Sequence, residues 1–259
     1  MEVHHHTHHP KRWKEYFWEF FMLFMAVFCG FLAELQLEHY IENQREKQFM
    51  VTLIEDLKSD SVVLAECEQV WAKVNADIDS VNDAIQIPVQ KSDFTKVYRH
   101  LAGALNYNGF TYNDRTIAQL KNAGGFRLIK DEEVSNKISL YDQFNQDAMK
   151  KIDLQHNLIY MQAISLKKQL FAQQILNGLY AKYGYDFVPQ SENNWVDSMM
   201  KSNPTPLTEK DYERALFEFK NAMLTLRHDY TNFQWGYNRE REKMKELSIL
   251  IRKKYLSSF

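Results

Sequence analysis

Disulfide-forming residues, helix breakers and one-sided charge are all scarce in this chain. Only two cysteines, Cys29 and Cys67, occur among 259 residues, so no disulfide framework staples the fold. If one helix carried both, they would lie about 57 Å apart. Cysteine usage therefore does not fix the redox compartment. Eight glycines and five prolines leave few turns and suit long helices. The 32 basic and 34 acidic residues nearly cancel, which excludes the basic footprint of a nucleic-acid binder. No internal repeat and no alternating apolar-polar run argues for strands. There is no Gly-rich phosphate loop, no Cys-x-x-Cys and no His-Glu-x-x-His. A di-iron bundle needs Glu-x-x-His twice, and the body offers only Asp153-x-x-His156. The expectation is a chain with no catalytic residues and no cofactor, and not an enzyme.

What is present in excess is a greasy start. Phe20 to Ala33 carries no charge, and Trp13, Tyr16 and Trp18 crowd its front edge, where amphipathic rings favour the headgroup level. About 20 helical residues cross ~30 Å of hydrocarbon. Tyr16 to Leu37 suffices if Glu19 and Glu34 lie near the two interfaces. Glutamates flank the run and no small-x-small cleavage site stands clear of charge, so it reads as an uncleaved anchor rather than a secretory signal. Lys11, Arg12 and Lys14 precede the span closely, while Arg45 and Lys47 follow it at greater distance. The basic-residue rule then places the N-terminus in the cytoplasm and the body on the far side of the membrane.

Three regions follow: a His-rich tail over 1–12, a transmembrane helix over 13–41 and a helical bundle over 42–259. His4, His5, His6, His8 and His9 offer weak metal affinity, because a tail without fixed geometry makes a poor site. In the span, Glu19, Ala26, Gly30 and Ala33 fall near one line with Glu15 and Leu37 at 100° per residue. Small residues there let membrane helices approach closely, and a glutamate in a span is costly unless paired, protonated or turned to protein or water. That face is the expected contact with a second copy or another membrane subunit; snorkelling of Glu19 to the headgroups is the plainer alternative.

No breaker appears between Leu35 and Ile85. Met50, Leu57, Leu64, Trp71, Ile78 and Ile85 recur every seven residues, and Leu53, Cys67, Val74 and Val81 fill the second heptad position, with Asp60 the exception. The spacing fits a coiled-coil seam between chains or the face of a bundle helix. The span is expected to continue as one rod ending before Pro88. Ser92-Asp93 can cap a helix to about Leu105, and Asp114 one that stops at Gly124-Gly125. A long helix from Asp131 to about Tyr183 is expected, with a stripe including Val134, Ile138, Tyr141, Phe144, Ala148, Ile152, Leu158, Met161, Leu166 and Leu170. A polar linker then runs to Pro206, with one helical turn around Trp195. Thr208-x-x-Asp211 opens a last helix with Leu216, Phe219, Met223, Leu226, Tyr230, Phe233, Tyr237, Met244, Leu247 and Ile251 on its stripe.

The segments WKEYFWEFFMLFMAVFCGFLAE, REKQFMVTLIEDLKSD and TIAQLKNAGGFRLIKDEEVSNKISLYD together resemble an uncharacterised family of single-span helical membrane proteins from Gram-negative bacteria, known only as a domain of unknown function. The resemblance covers most of the chain, including the histidine-rich start. It implies an inner-membrane setting and supplies no activity and no functional residues.

The fold class expected is all-α, with three long helices and several short ones. Three functions compete. The first is a structural or interaction protein assembling through its span and juxtamembrane helix, as a homo-oligomer or accessory subunit of a membrane complex. The second is a periplasmic ligand-sensing bundle, and the third a pore lined by Glu19. Scattered candidates remain: His100, His156 and His228 as a metal set; Tyr107, Tyr112, Trp195 and Trp235 as a ligand wall; and Thr116, Lys121, Gly124, Gly125 and Arg127 as an anion site. Surface, core and corner roles are the plainer reading for each.

Overall fold

A computed structural model describes residues 12–106, 109–122, 124–184, 188–204 and 207–256, without the side chains of 148, 149 and 152. The histidines of the tail, and Tyr107, lie outside these residues. Eight α-helices and no strand occur among the described residues.

Helix α1, Trp13–Ala84, is a single unbroken rod of 72 residues, about 108 Å long at 1.5 Å per residue. It is the continuous stem that the lack of Gly and Pro after Gly30 demands. Its first part is bare. From Trp13 to Ile41 no residue is buried, and the first buried position is Glu46. Beyond that point the heptad residues Met50, Leu57, Leu64, Trp71 and Ile78 are all buried, as are Leu53, Cys67, Val74 and Val81. The chain covers this face itself, so it is a bundle face and not an open seam for a second copy.

The cover comes mainly from two elements. Helix α2, Phe94–Ala104, doubles back along the far end of α1; Asp93 caps it by accepting from the Lys96 N–H. Helix α8, Glu209–Ile251, spans 43 residues and runs antiparallel to α1. The register is set by Lys220 Nζ on the Ile85 carbonyl, the Arg227–Asp79 pair, Arg241 on Glu68 and the Tyr255 hydroxyl on Glu46. Thr208 caps α8, accepting from the Asp211 N–H at 3.2 Å. Trp71 stacks on Tyr237 with centroids 4.2 Å apart, which explains how a residue too large for a tight two-stranded coil sits on this face.

Helix α3, Arg115–Asn122, ends at Gly124, whose φ of 61° supplies the left-handed stop expected there. Helix α4, Glu132–Gln143, passes through a π-helical stretch, Phe144–Met149, into α5, Lys150–Leu170. The long helix expected to reach Tyr183 is broken at Phe171 and Ala172, and α6, Gln173–Tyr183, restarts after it. No Gly or Pro marks the break. Two tyrosines make it: the Tyr212 hydroxyl donates to the Leu170 carbonyl, and the Tyr98 hydroxyl accepts the Ala172 N–H. These bonds replace ones the helix would have kept, while Phe171 packs edge-on against Tyr98 and Phe219. Leu158 and Met161 also depart from the expected stripe, being 67% and 63% exposed. A constant 100° step from Val134 carries both to the far side; His156 and Ala163 hold the buried line in their place, and Leu170 lies on it as expected. The linker contains a ten-residue helix, α7, Asn193–Ser202, rather than one turn.

Candidate functional site

The span residues meet nothing from the body. Seventeen large hydrophobic side chains between Trp13 and Ile41 are exposed, with Leu23 and Val27 each at 68%. At roughly 2 kcal/mol per exposed side chain, this is on the order of 30 kcal/mol of unburied apolar surface. Such a deficit exceeds the whole stability of a typical domain, and a contiguous patch of this size marks contact with lipid or another chain. Near its N-terminal end α1 is long and apolar enough to cross a membrane. Stacked rings, Phe20 on Phe24 and Phe24 on Phe28, stiffen one side. On the other, a Cβ added at Gly30 would meet no atom within 4 Å. The face carrying Ala26, Gly30 and Ala33 is thus uncovered by the chain itself.

The near half of the body, next to this leg, holds a row of buried carboxylates. Asp56, on α1, is 1% exposed and accepts from the Thr116 N–H at 3.1 Å, the Thr116 hydroxyl, Asn113 Nδ2 at 3.0 Å and Arg115 at 2.6 Å. Asp60, one turn on, accepts from the Asn113 N–H at 2.8 Å and from the Tyr141 hydroxyl at 3.0 Å. Burial raises the Asp60 carboxyl above its usual range, against the pull of those two donors. Glu240, on α8, is fully buried and accepts from Asn145 Nδ2 at 2.8 Å. Burial pushes its carboxyl up to about 7. Tyr141 lies between Asp60 and Glu240, and burial between these two acids raises its phenol strongly. One hydroxyl proton cannot serve two carboxylates, so a neutral Glu240 is the arrangement with least repulsion. Asp142 takes Lys121 and the Tyr112 hydroxyl, and burial pushes the Tyr112 phenol up to about 12.

This network absorbs the residues once considered as an anion site. Thr116 and Lys121 are bound to Asp56 and Asp142, and Gly124 and Gly125 form the corner leading to Arg127. The histidines do not converge. His100 pairs with Asp77 at 2.7 Å, and His228 is exposed. His156 is buried with its ring 5.2 Å from both Tyr230 and Phe233. Burial holds the His156 imidazole down to about 4, so it stays neutral. No group of three His, Cys, Asp or Glu suited to a metal occurs among the described residues. Trp235 is 61% exposed with Arg239 over its ring, while Trp195 packs on Gly178 and Tyr112 joins the acidic network. Each of these three aromatics is engaged in a different place.

The carboxylates were missed in the sequence except for Asp60. A signal existed: Asp60 and Glu240 each occupy a core position in an otherwise apolar stripe, where a charge is rare unless partnered. Comparison with family models, with curated proteins and with solved structures returned no match to this chain.

Proposed function

We propose that the chain is a membrane-anchored helical interaction protein. The leg of α1 crosses a bacterial inner membrane, with its N-terminus in the cytoplasm and the bundle in the periplasm. It associates through the leg, as a homo-oligomer or as an accessory subunit of a membrane complex. The observation that carries this reading is the contrast along one helix: seventeen large hydrophobics of the leg are bare, while the heptad face beyond Glu46 is filled. Association through the juxtamembrane heptads is therefore set aside, and the small-residue face around Gly30 takes the role. The resemblance to single-span inner-membrane proteins points the same way.

Cys29 is exposed and Cys67 buried, which makes the native chain its own probe. Cys29 sits about 70° from the line of small residues. Oxidation of membranes containing the protein should give a Cys29-linked dimer, lost in Cys29→Ser and depleted in Gly30→Leu. Native mass spectrometry in mild detergent should give a mass above one chain. A strictly monomeric mass together with no cross-link would overturn self-association. Thr231→Cys in a Cys67→Ser background tests orientation: reaction with an impermeant maleimide in intact cells is expected, and protection until lysis would reverse it.

A further inference from the structure

The end of the body far from the leg holds an open cleft of about 820 Å³, within the range of small-molecule sites. Four aromatic side chains form its walls: Phe94 and Tyr98 from α2, Phe171 at the helix break and Tyr212 from α8. Phe94 meets Tyr212 edge-on at 6.0 Å, and Tyr98 meets Phe171 at 5.6 Å, so these walls are locked by mutual packing. The break between α5 and α6 opens into this cleft, with Leu170 to Gln174 all on its lining.

The polar groups at the break are donors. Helix α6 begins with Ala172 at its cap, and no side chain caps it. The first N–H groups of a helix have no partner of their own, and here the backbone N–H groups of Gln173 and Gln174 have no acceptor among the described residues. They carry the positive end of the helix dipole. Tyr98, 4% exposed, uses its oxygen for the Ala172 N–H, and its hydroxyl proton remains available to an acceptor not found among the described residues. Lys168 adds an exposed ammonium at the rim. The acid on the lining, Glu209, is engaged by Gln90 Nε2. The buried Tyr98 hydroxyl and the half-buried Gln173 N–H, with the exposed Gln174 N–H and Lys168 beside them, thus border a cleft walled by four aromatic rings.

We propose that this cleft is a binding site for a small amphiphilic carboxylate: an aromatic or aliphatic body between the four rings, and a carboxylate on the Gln173 and Gln174 amides and the Tyr98 hydroxyl. Each carboxylate oxygen has a donor, and the helix terminus supplies the missing half-charge. The site is independent of how the leg assembles.

The test uses the full chain in phosphatidylcholine nanodiscs, titrated calorimetrically with biphenyl-4-acetate and with its neutral amide. Gln173→Pro is the informative variant. Proline is accepted at the first position of a helix, and Ala172 already has the extended conformation that must precede it. The substitution removes one donor while leaving the fold in place; Gln173→Ala keeps that donor and is the control. Saturable one-site binding of the carboxylate is expected. The neutral amide and Gln173→Pro should each bind about tenfold more weakly, and Gln173→Ala within about twofold of native. Met200→Trp, which fills the cleft from α7, should abolish binding and guards against a folding defect in the proline variant. Non-saturable uptake of the carboxylate would overturn the site. So would equal affinity for acid and amide, or native affinity in Met200→Trp.

Discussion

Asp56 caps a helix from sixty positions before the residue it holds: its Oδ2 accepts the Thr116 N–H at 3.1 Å and the Thr116 hydroxyl as well. Caps normally come from the residue just before the helix. Here the stem supplies it, so α3 is fastened to α1 by its own unsatisfied amides. Replacing Asp56 by Ala would strand buried donors on Thr116 and Asn113 together. The expected loss is about 3 kcal/mol, read as a fall of roughly 6–12 °C in the thermal midpoint. A fall below about 2 °C would show that solvent replaces this carboxylate.

Gly103 is held without a side chain by Asp77. A Cβ at this position would lie 1.8 Å from Asp77 Oδ2, whose partner oxygen is bound to His100. Gly103→Ala should turn Asp77 away and break that pair, destabilising the chain by about 1–2 kcal/mol. In an Asp77→Ala background the same glycine substitution should be nearly neutral. A double-mutant cycle measures the difference; additive losses would show that the crowding lies elsewhere.

The buried Glu240 and His156 set opposing pH dependences. With its carboxyl raised from 4.5 to about 7, folded Glu240 keeps a proton that the unfolded chain releases. Stability therefore falls as pH rises from about 4.5 to 7 and is level above. His156 is lowered from 6.5 to about 4, so the unfolded chain binds the extra proton, and stability rises with pH across that window. Glu240→Gln removes the falling limb that Glu240 supplies. Relative to native, the variant should gain stability on going from pH 5 to 6.5, and at pH 8 should exceed native by on the order of 2 kcal/mol. Thermal midpoints measured from pH 5 to 8 decide it, and parallel curves for the two proteins would refute the assignment.

Trp71 separates a bundle face from a coil between chains. It is stacked on Tyr237 inside one molecule, and Trp71→Ala should cost about 3–5 kcal/mol. The unfolding midpoint should drop equally at all protein concentrations. If the drop shrank with increasing concentration, a second chain would be holding this face.

Much of the architecture was legible because it is local. The unbroken stem, the caps at Asp93 and Thr208 and the stop at Gly124 follow from residue type and spacing within a few positions. The heptad list named the buried face of α1 correctly, but spacing alone could not say whether another chain or α8 covers it. The break at Phe171 had no local sign, since Tyr98 and Tyr212 make it from distant parts of the chain. Leu158 and Met161 show the opposite error, where apolar character was weighed above helical phase. Among candidate site residues, the tail histidines fall outside the described positions and Gly30 lies uncovered. The buried acids had only the signature of a charge on an apolar stripe.

By itself the sequence determined that this protein is helical and that its first helix is one rod, greasy at the start and amphipathic beyond, because periodicity and the absence of breakers act within each segment. Only the tertiary structure decided which polar groups meet: Asp56 with Thr116, Tyr141 with Asp60, and Tyr212 with the broken end of α5. A hydrogen bond depends on the position of both partners, and a segment read alone carries only one of them.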